Sequence, residues 1–104
     1  MTNAGPIACT LDAAERPRRQ SDIRSLGRDG LLSVDRGARR AVLRFRLDSG
    51  IRERVEAIAS AEVECCAFLT FEVADRDEAT TLTIVAPAGG ETLMHELASM
   101  FADE

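Results

Sequence analysis

The amino-acid sequence predicts an α+β two-layer sandwich with a mostly antiparallel sheet and the element order β-α-β-β-α-β-β-α. Two pairs of short strand-like segments, each pair interrupted by turn residues, predict two β-hairpins. Three longer segments repeat their apolar residues at helical spacing. Because the strand between the first two turns alternates apolar and charged residues, one face of the sheet is expected to meet water and the helices to cover the other.

The first half of the chain contributes three of the predicted strands and one helix. A loose tail over residues 1–5 is followed by "IACTL" (7–11), which predicts a short buried strand. A helix is expected from near Pro17, which suits a first turn, to about Arg28, with Gly30 in the left-handed conformation at its end. Segments 31–34 and 40–47 predict a hairpin around residues 35–38. In the second of these strands the predicted inward residues are Ala41, Leu43, Phe45 and Leu47, and the predicted outward residues are Arg40, Val42, Arg44 and Arg46.

The second half repeats the pattern of helix and hairpin. Asp48 or Ser49 is expected to cap a helix that ends around Cys65 and Cys66. Segments 68–73 and 80–86 predict a second hairpin across residues 74–79, and a final helix is predicted at about 91–102. We therefore expect residues 1–104 to form a single α+β domain.

The composition limits the classes of function. The net charge is -5, and all 13 basic residues are arginine. Residues 16–54 carry a local charge of +7 and residues 55–104 a local charge of -10, so the chain as a whole is a poor match for nucleic acid. The N-terminus shows no signal-peptide pattern and no apolar run could cross a membrane, so a cytoplasmic location is expected. Thiols stay reduced there, and an odd number of cysteines also argues against a disulfide framework.

The motif "VECCAF" (63–68) places two of the three cysteines side by side. Cys9 falls on the predicted core side of the first strand, so three thiols could converge if that strand lies near the end of the second helix. A helix C-terminus with Glu62 and Glu64 beside it disfavours a free thiolate, whereas a soft metal ion itself displaces thiol protons. We therefore predict that one soft ion is bound by the thiolates of Cys9, Cys65 and Cys66. Hg(II), Cu(I), Cd(II) and As(III) suit such a site, and Zn(II) would need a fourth ligand. Glu62 and Glu64 are weaker candidates for groups that support the ligands.

The other side chains that could bind a metal ion or RNA are more simply explained by structural roles. His95, the only histidine, is predicted to face solvent on the last helix. The helical spacing of Met94 and Met100 favours the core. The arginines of segment 40–47 could bind single-stranded RNA, but pairing with glutamate on a neighbouring strand is the simpler expectation.

These residues carry a resemblance to a known group. The stretch "ACTL" with Cys9, the stretch "ECCAF" with Cys65 and Cys66, and the closing "ETLMHELASMF" resemble a group of small actinobacterial proteins. The same module is similar to an extra domain of some MerR-type heavy-metal-responsive regulators. The resemblance covers roughly residues 7–101 and implies heavy-metal handling by association. The sequence has no helix-turn-helix for DNA.

Three hypotheses about function follow from the cysteines. The first is a small protein that sequesters, senses or transfers a thiophilic metal or metalloid. The second is a thiol-dependent enzyme, such as one that cleaves a carbon–metal bond as an organomercurial lyase does, with turnover as the distinguishing test. The third is an interaction module with buried cysteines, for which pairing of edge strands would give a homodimer.

Overall fold

The fold is an α+β two-layer sandwich in a computed structural model that describes the backbone of residues 16–65 and 68–102, and the side chains of residues 18–64 and 68–102. Three helices and four strands alternate along the chain: α1 (Arg16–Gly30), β1 (Leu31–Arg36), β2 (Arg40–Arg46), α2 (Ser49–Cys65), β3 (Thr70–Arg76), β4 (Ala79–Val85) and α3 (Glu91–Ala102). This α-β-β-α-β-β-α order confirms the predicted elements from the first helix onward. The strand predicted at 7–11 lies outside the described residues.

The four strands form one antiparallel sheet in the order β1-β2-β4-β3. Strand β4 therefore lies between β2 and β3, which run parallel to each other on either side of it. All three helices pack against the sheet, with α2 contacting β3 and α3 contacting β1 and β2. In the described chain no helix is long and apolar enough to cross a membrane.

The hydrophobic core lies between the sheet and the helices, as the alternation of β2 predicts. Leu43, Phe45, Leu82 and Ile84 are completely buried on the inner face of the sheet. The ring of Phe45 meets that of Phe101 from α3 edge to face, with centroids 5.7 Å apart. Leu47, predicted to point inward, is 53% exposed because β2 ends one residue earlier.

Glycine roles differ from the sequence prediction. Gly30 was expected to be left-handed, but this prediction is wrong, because Gly89 is the one described glycine with a positive φ, of 94°. The N–H of Gly90 donates to the carbonyl of Pro87 at 2.9 Å, which closes a turn with Gly89 at its third position, and the positive φ there is that of a type II turn. Gly30 instead lets the helix end approach Ile51, since an added Cβ would lie 2.9 Å from the Cδ1 of that side chain.

Asp48 caps the N-terminus of α2, as the sequence predicts. Its Oδ1 accepts hydrogen bonds from the N–H of Gly50 at 2.9 Å and of Ile51 at 3.2 Å. The bond from Ile51 is the largest effect and lowers the pKa of Asp48 below its ordinary value of 3.8. Desolvation, the next largest, opposes it, while the bond from Gly50 and then the charge of Arg46 lower the pKa further. Because the pKa is lower in the folded protein than in the unfolded chain, the cap stabilises the fold fully above pH 3.8. That contribution is lost as the pH falls through the folded pKa.

Removal of this cap is expected to have a pH-dependent effect. At pH 7, Asp48→Ala should lower the Tm by about 4 °C. The difference from the parent should shrink toward pH 2, where the parent carboxylate is protonated too, and calorimetry across this range measures it. Asp48→Asn is the control, because an amide caps without titrating in this range. An equal Tm loss for Asp48→Ala at both ends of the range would contradict the assignment.

The turn of the second hairpin is tighter than predicted. The sequence placed it at 74–79, but β3 continues to Arg76 and β4 starts at Ala79, so only Asp77 and Glu78 connect them. Their φ angles are 52° and 63°, as a type I′ turn requires. The sequences Asn-Gly and Asp-Gly are typical of such turns, and because Glu78 stands where glycine is usual, the sequence does not indicate the turn type.

A glycine in this turn is expected to stabilise the protein. Glu78→Gly should raise the free energy of unfolding by about 1 kcal/mol, because a left-handed conformation costs a residue with a Cβ about that much. The midpoint of urea unfolding measures it. The matched control is the same change at Glu53, an exposed residue inside α2, where glycine should lower stability by about 1 kcal/mol. A decrease at both positions would show that Glu78 is not strained.

Candidate functional site

The start of α1 lies against the end of α2, and this junction is the candidate site. Arg19, in the second turn of α1, donates from Nη1 to Oε2 of Glu62, in the last turn of α2, at 3.0 Å. At the opposite ends of these helices, Arg54 donates to Asp29 at 2.9 Å. The two contacts show that α1 and α2 are antiparallel neighbours. The first residues of α1 and the last residues of α2 therefore share one end of the molecule.

Glu62 is the only carboxylate among the described residues that is buried, with 4% of its surface exposed. A buried charge is costly unless it is paired, and the guanidinium of Arg19 meets that requirement. The sequence predicted Glu62 only as a group beside the cysteines. Its role in joining the two helices was missed, because nothing local indicates a contact between residues 43 positions apart. Glu64, the other acidic candidate, is exposed.

The backbone of Cys65 forms the last residue of α2. The side chain of Cys65 and all of Cys9 and Cys66 lie outside the described residues, so the meeting of the three thiols stays a prediction. Within the described residues, no group of three or more His, Cys, Asp or Glu side chains could hold a metal ion. The described part of the junction therefore supplies an ion pair, and any soft ligands would have to come from the cysteines.

Helix α3 also begins at this end of the molecule. The ring of Phe68, between α2 and β3, lies beside Gly90 at the start of α3, 3.4 Å from the position of an added Cβ. The carboxylate of Glu91 accepts hydrogen bonds from its own backbone N–H, which has the largest effect on its pKa, and from the N–H of Gly89. Both lower the pKa of Glu91 and favour its charged form. A carboxylate at this position suits the positive end of the α3 dipole. The segment that follows α2 therefore lies beside the start of α3 at Phe68.

His95, one turn into α3, lies near the edge strand β1. Its carbonyl accepts a hydrogen bond from Arg36 of the edge strand β1 at 3.3 Å. Its half-buried side chain lines an open groove on the outside of α3 with Thr92 and Met100. Met94 is completely buried, and Met100 packs against the core. The predicted core roles of both methionines are confirmed.

Among the described residues, the sheet face opposite the helices lacks the arginine–glutamate pairs that the sequence predicts. In the cross-strand register Thr83 separates Val42 from Glu72, so no arginine of β2 lies directly beside that carboxylate. Phe68, two residues before β3, packs against the core. The aromatic platform on which single-stranded RNA would stack is therefore missing from the described part of this face.

The junction brings two helix ends together but shows no catalytic group of its own in the described chain. Arg19 and Glu62 form an ion pair, and a fixed ion pair between helices is most simply a positioning device for the segments that leave it. Those segments are the N-terminal fifteen residues and the short connection that contains Cys66. Searches against protein-family models, curated proteins and solved structures find no match for this chain.

Proposed function

We propose that the protein binds one thiophilic heavy-metal or metalloid ion through Cys9, Cys65 and Cys66, at the end of the molecule where α1 begins and α2 ends. The observation that carries the proposal is the 3.0 Å contact between Arg19 and Glu62. It holds the two parts of the chain that lead to the cysteines against each other.

Chain length supports the convergence of the thiols. Cys65 follows Glu62 by three residues, which is less than one helical turn. Cys9 precedes Arg16, the first residue of α1, by seven residues, and seven residues span at most about 25 Å. Because α1 starts beside the last turn of α2, a segment of that reach is long enough for Cys9 to meet the adjacent pair.

The electrostatics of the junction favour a cation over a free thiolate. The C-terminus of α2 carries a partial negative charge, and Glu64 adds a full one. Both raise the cost of a bare thiolate, and both attract a soft cation whose own charge stabilises the deprotonated sulfur atoms. Thiolates select soft ions, and we place the protein in the cytoplasm, where its cysteines would stay reduced.

The first experiment is an anaerobic titration of the reduced protein with Hg(II), Cu(I), Cd(II), As(III) and Zn(II). Native mass spectrometry counts the bound ions, and the thiolate–metal ultraviolet band reports the ligands. We expect one tightly bound soft ion per chain and protection of the thiols from alkylation. Thiols that bind no ion and resist alkylation until the protein unfolds would show that the cysteines belong to the core.

A further inference from the structure

The sheet face turned away from the helices carries three arginines that have no partner among the described residues. Arg40 and Arg44 extend from β2, and Arg76 ends β3. Within the part of the chain that the structure describes, none of their guanidinium groups takes part in a hydrogen bond or an ion pair. Arg44 is half-buried. A partly desolvated guanidinium group with no acceptor is available to a ligand with oxygen acceptors.

The three arginines surround a cavity of about 170 Å³. Strand β4 forms its floor through Thr81 and Thr83, which lie opposite Arg44 and Val42 of β2. Neighbouring strands are about 4.8 Å apart, so the backbones of β2 and β3 lie about 10 Å from each other, with Arg76 two residues along the strand from the row of Arg44. Two guanidinium groups that approach from opposite sides at that spacing can share one oxyanion between them.

The two threonines differ in what they can donate. The hydroxyl of Thr81 donates to the carbonyl of Ala74 at 3.1 Å and is 5% exposed, so its proton is already used. Thr83 is half-buried and has no hydrogen-bond partner among the described residues. The floor of the cavity therefore offers one free hydroxyl donor beneath the guanidinium groups.

We propose that this cavity binds the phosphate group of a small phosphate monoester. Guanidinium groups pair with phosphate through two parallel N–H···O bonds, and three terminal oxygens can use more donors than a carboxylate can. A volume of about 170 Å³ equals only a few water molecules and is well below the roughly 300–1,000 Å³ of sites for drug-sized molecules. It suits one phosphoryl group and the few atoms attached to it.

The acidic residues of the cavity exclude a polyanion. Glu72 and Asp77 line it together with the arginines. Successive phosphates of a nucleic acid would meet these carboxylates, whereas one phosphate can lie at the arginines while Glu72 accepts a hydrogen bond from a hydroxyl group of the ester. The site is separate from the cysteine junction, and the two proposals stand or fall independently.

The test is calorimetric titration of the full chain at low salt with two probes, inorganic phosphate and glycerol 3-phosphate. We expect one saturable site for each probe, with tighter binding of the ester. Arg44→Met should weaken binding at least 10-fold, because a charge-assisted pair is lost. The matched control is Arg28→Met, at an exposed arginine on α1, which should bind like the parent.

Glu72→Gln gives a second test, in which phosphate binding is expected to become tighter rather than weaker. The amide keeps the shape and removes a negative charge near the phosphate, so binding of inorganic phosphate should tighten about 3-fold. A role of Glu72 in folding alone would not improve binding. The proposal is overturned if neither probe saturates, if Arg44→Met binds like the parent, or if a ten-nucleotide single strand binds more tightly than glycerol 3-phosphate.

Discussion

Replacement of Gly27 by alanine is expected to destabilise the protein by about 3 kcal/mol, although alanine is the better helix former. Gly27 lies inside α1 where this helix crosses the end of α3. An added Cβ would overlap the carbonyl oxygen of Phe101 and lie 2.7 Å from its carbonyl carbon. Both are backbone atoms, so no side chain can rotate away and α3 itself must move. Such a movement would also separate the rings of Phe101 and Phe45 in the core.

Urea unfolding of the parent and of Gly27→Ala measures this effect, and a fall in Tm of roughly 15 °C should accompany it. The matched control is Gly37→Ala in the turn between β1 and β2. Gly37 is exposed, its φ is not positive, and an added Cβ would come no nearer than 3.4 Å to the carbonyl oxygen of Arg40. We expect that control to stay within about 0.5 kcal/mol of the parent. Equal stability of Gly27→Ala and the parent would mean that α1 and α3 are not in close contact.

The fold was largely predictable because its elements carry local signals. The alternation of β2 identifies both its buried residues and its arginine face, and the bounds predicted for α3 match those of the structure. Capping by Asp48 was predictable because the cap bonds to residues two and three positions later. Two of the predictions that failed, at Gly30 and at the turn of Asp77 and Glu78, depended on backbone angles that the residue types do not determine.

The candidate site was predictable only as a list of residues. The adjacent cysteines can be read directly from the sequence, but the contact that joins the start of α1 to the end of α2 links Arg19 to Glu62 across 43 residues. Similarly, the absence of pairing on the open sheet face depends on the register of β2, β4 and β3. The spacing of apolar residues and the turn residues can be read from a sequence. The register of the strands and the arrangement of the helices instead depend on how all the elements pack together.

Cys66→Ser is expected to weaken binding of a soft metal ion at least about 100-fold and to leave the fold unchanged. Serine has nearly the same size as cysteine, but its hydroxyl does not become an anion at neutral pH and is a hard ligand that soft ions disfavour. Competition with a chelator of known affinity measures the loss, and the unfolding midpoint without metal measures stability. Ala67→Ser is the matched control, because it adds a hydroxyl one residue later and keeps all three thiols.

The same titration of Cys9→Ser and Cys65→Ser separates a three-thiolate site from a two-thiolate one. If the junction of α1 and α2 brings Cys9 to the pair, all three serine variants should lose affinity together, since each removes one sulfur from the same ion. A Cys9→Ser variant that binds like the parent would restrict the site to the adjacent pair at the end of α2. Undiminished binding in Cys66→Ser would remove the site altogether, because a metal bound without Cys66 cannot depend on the "ECCAF" motif.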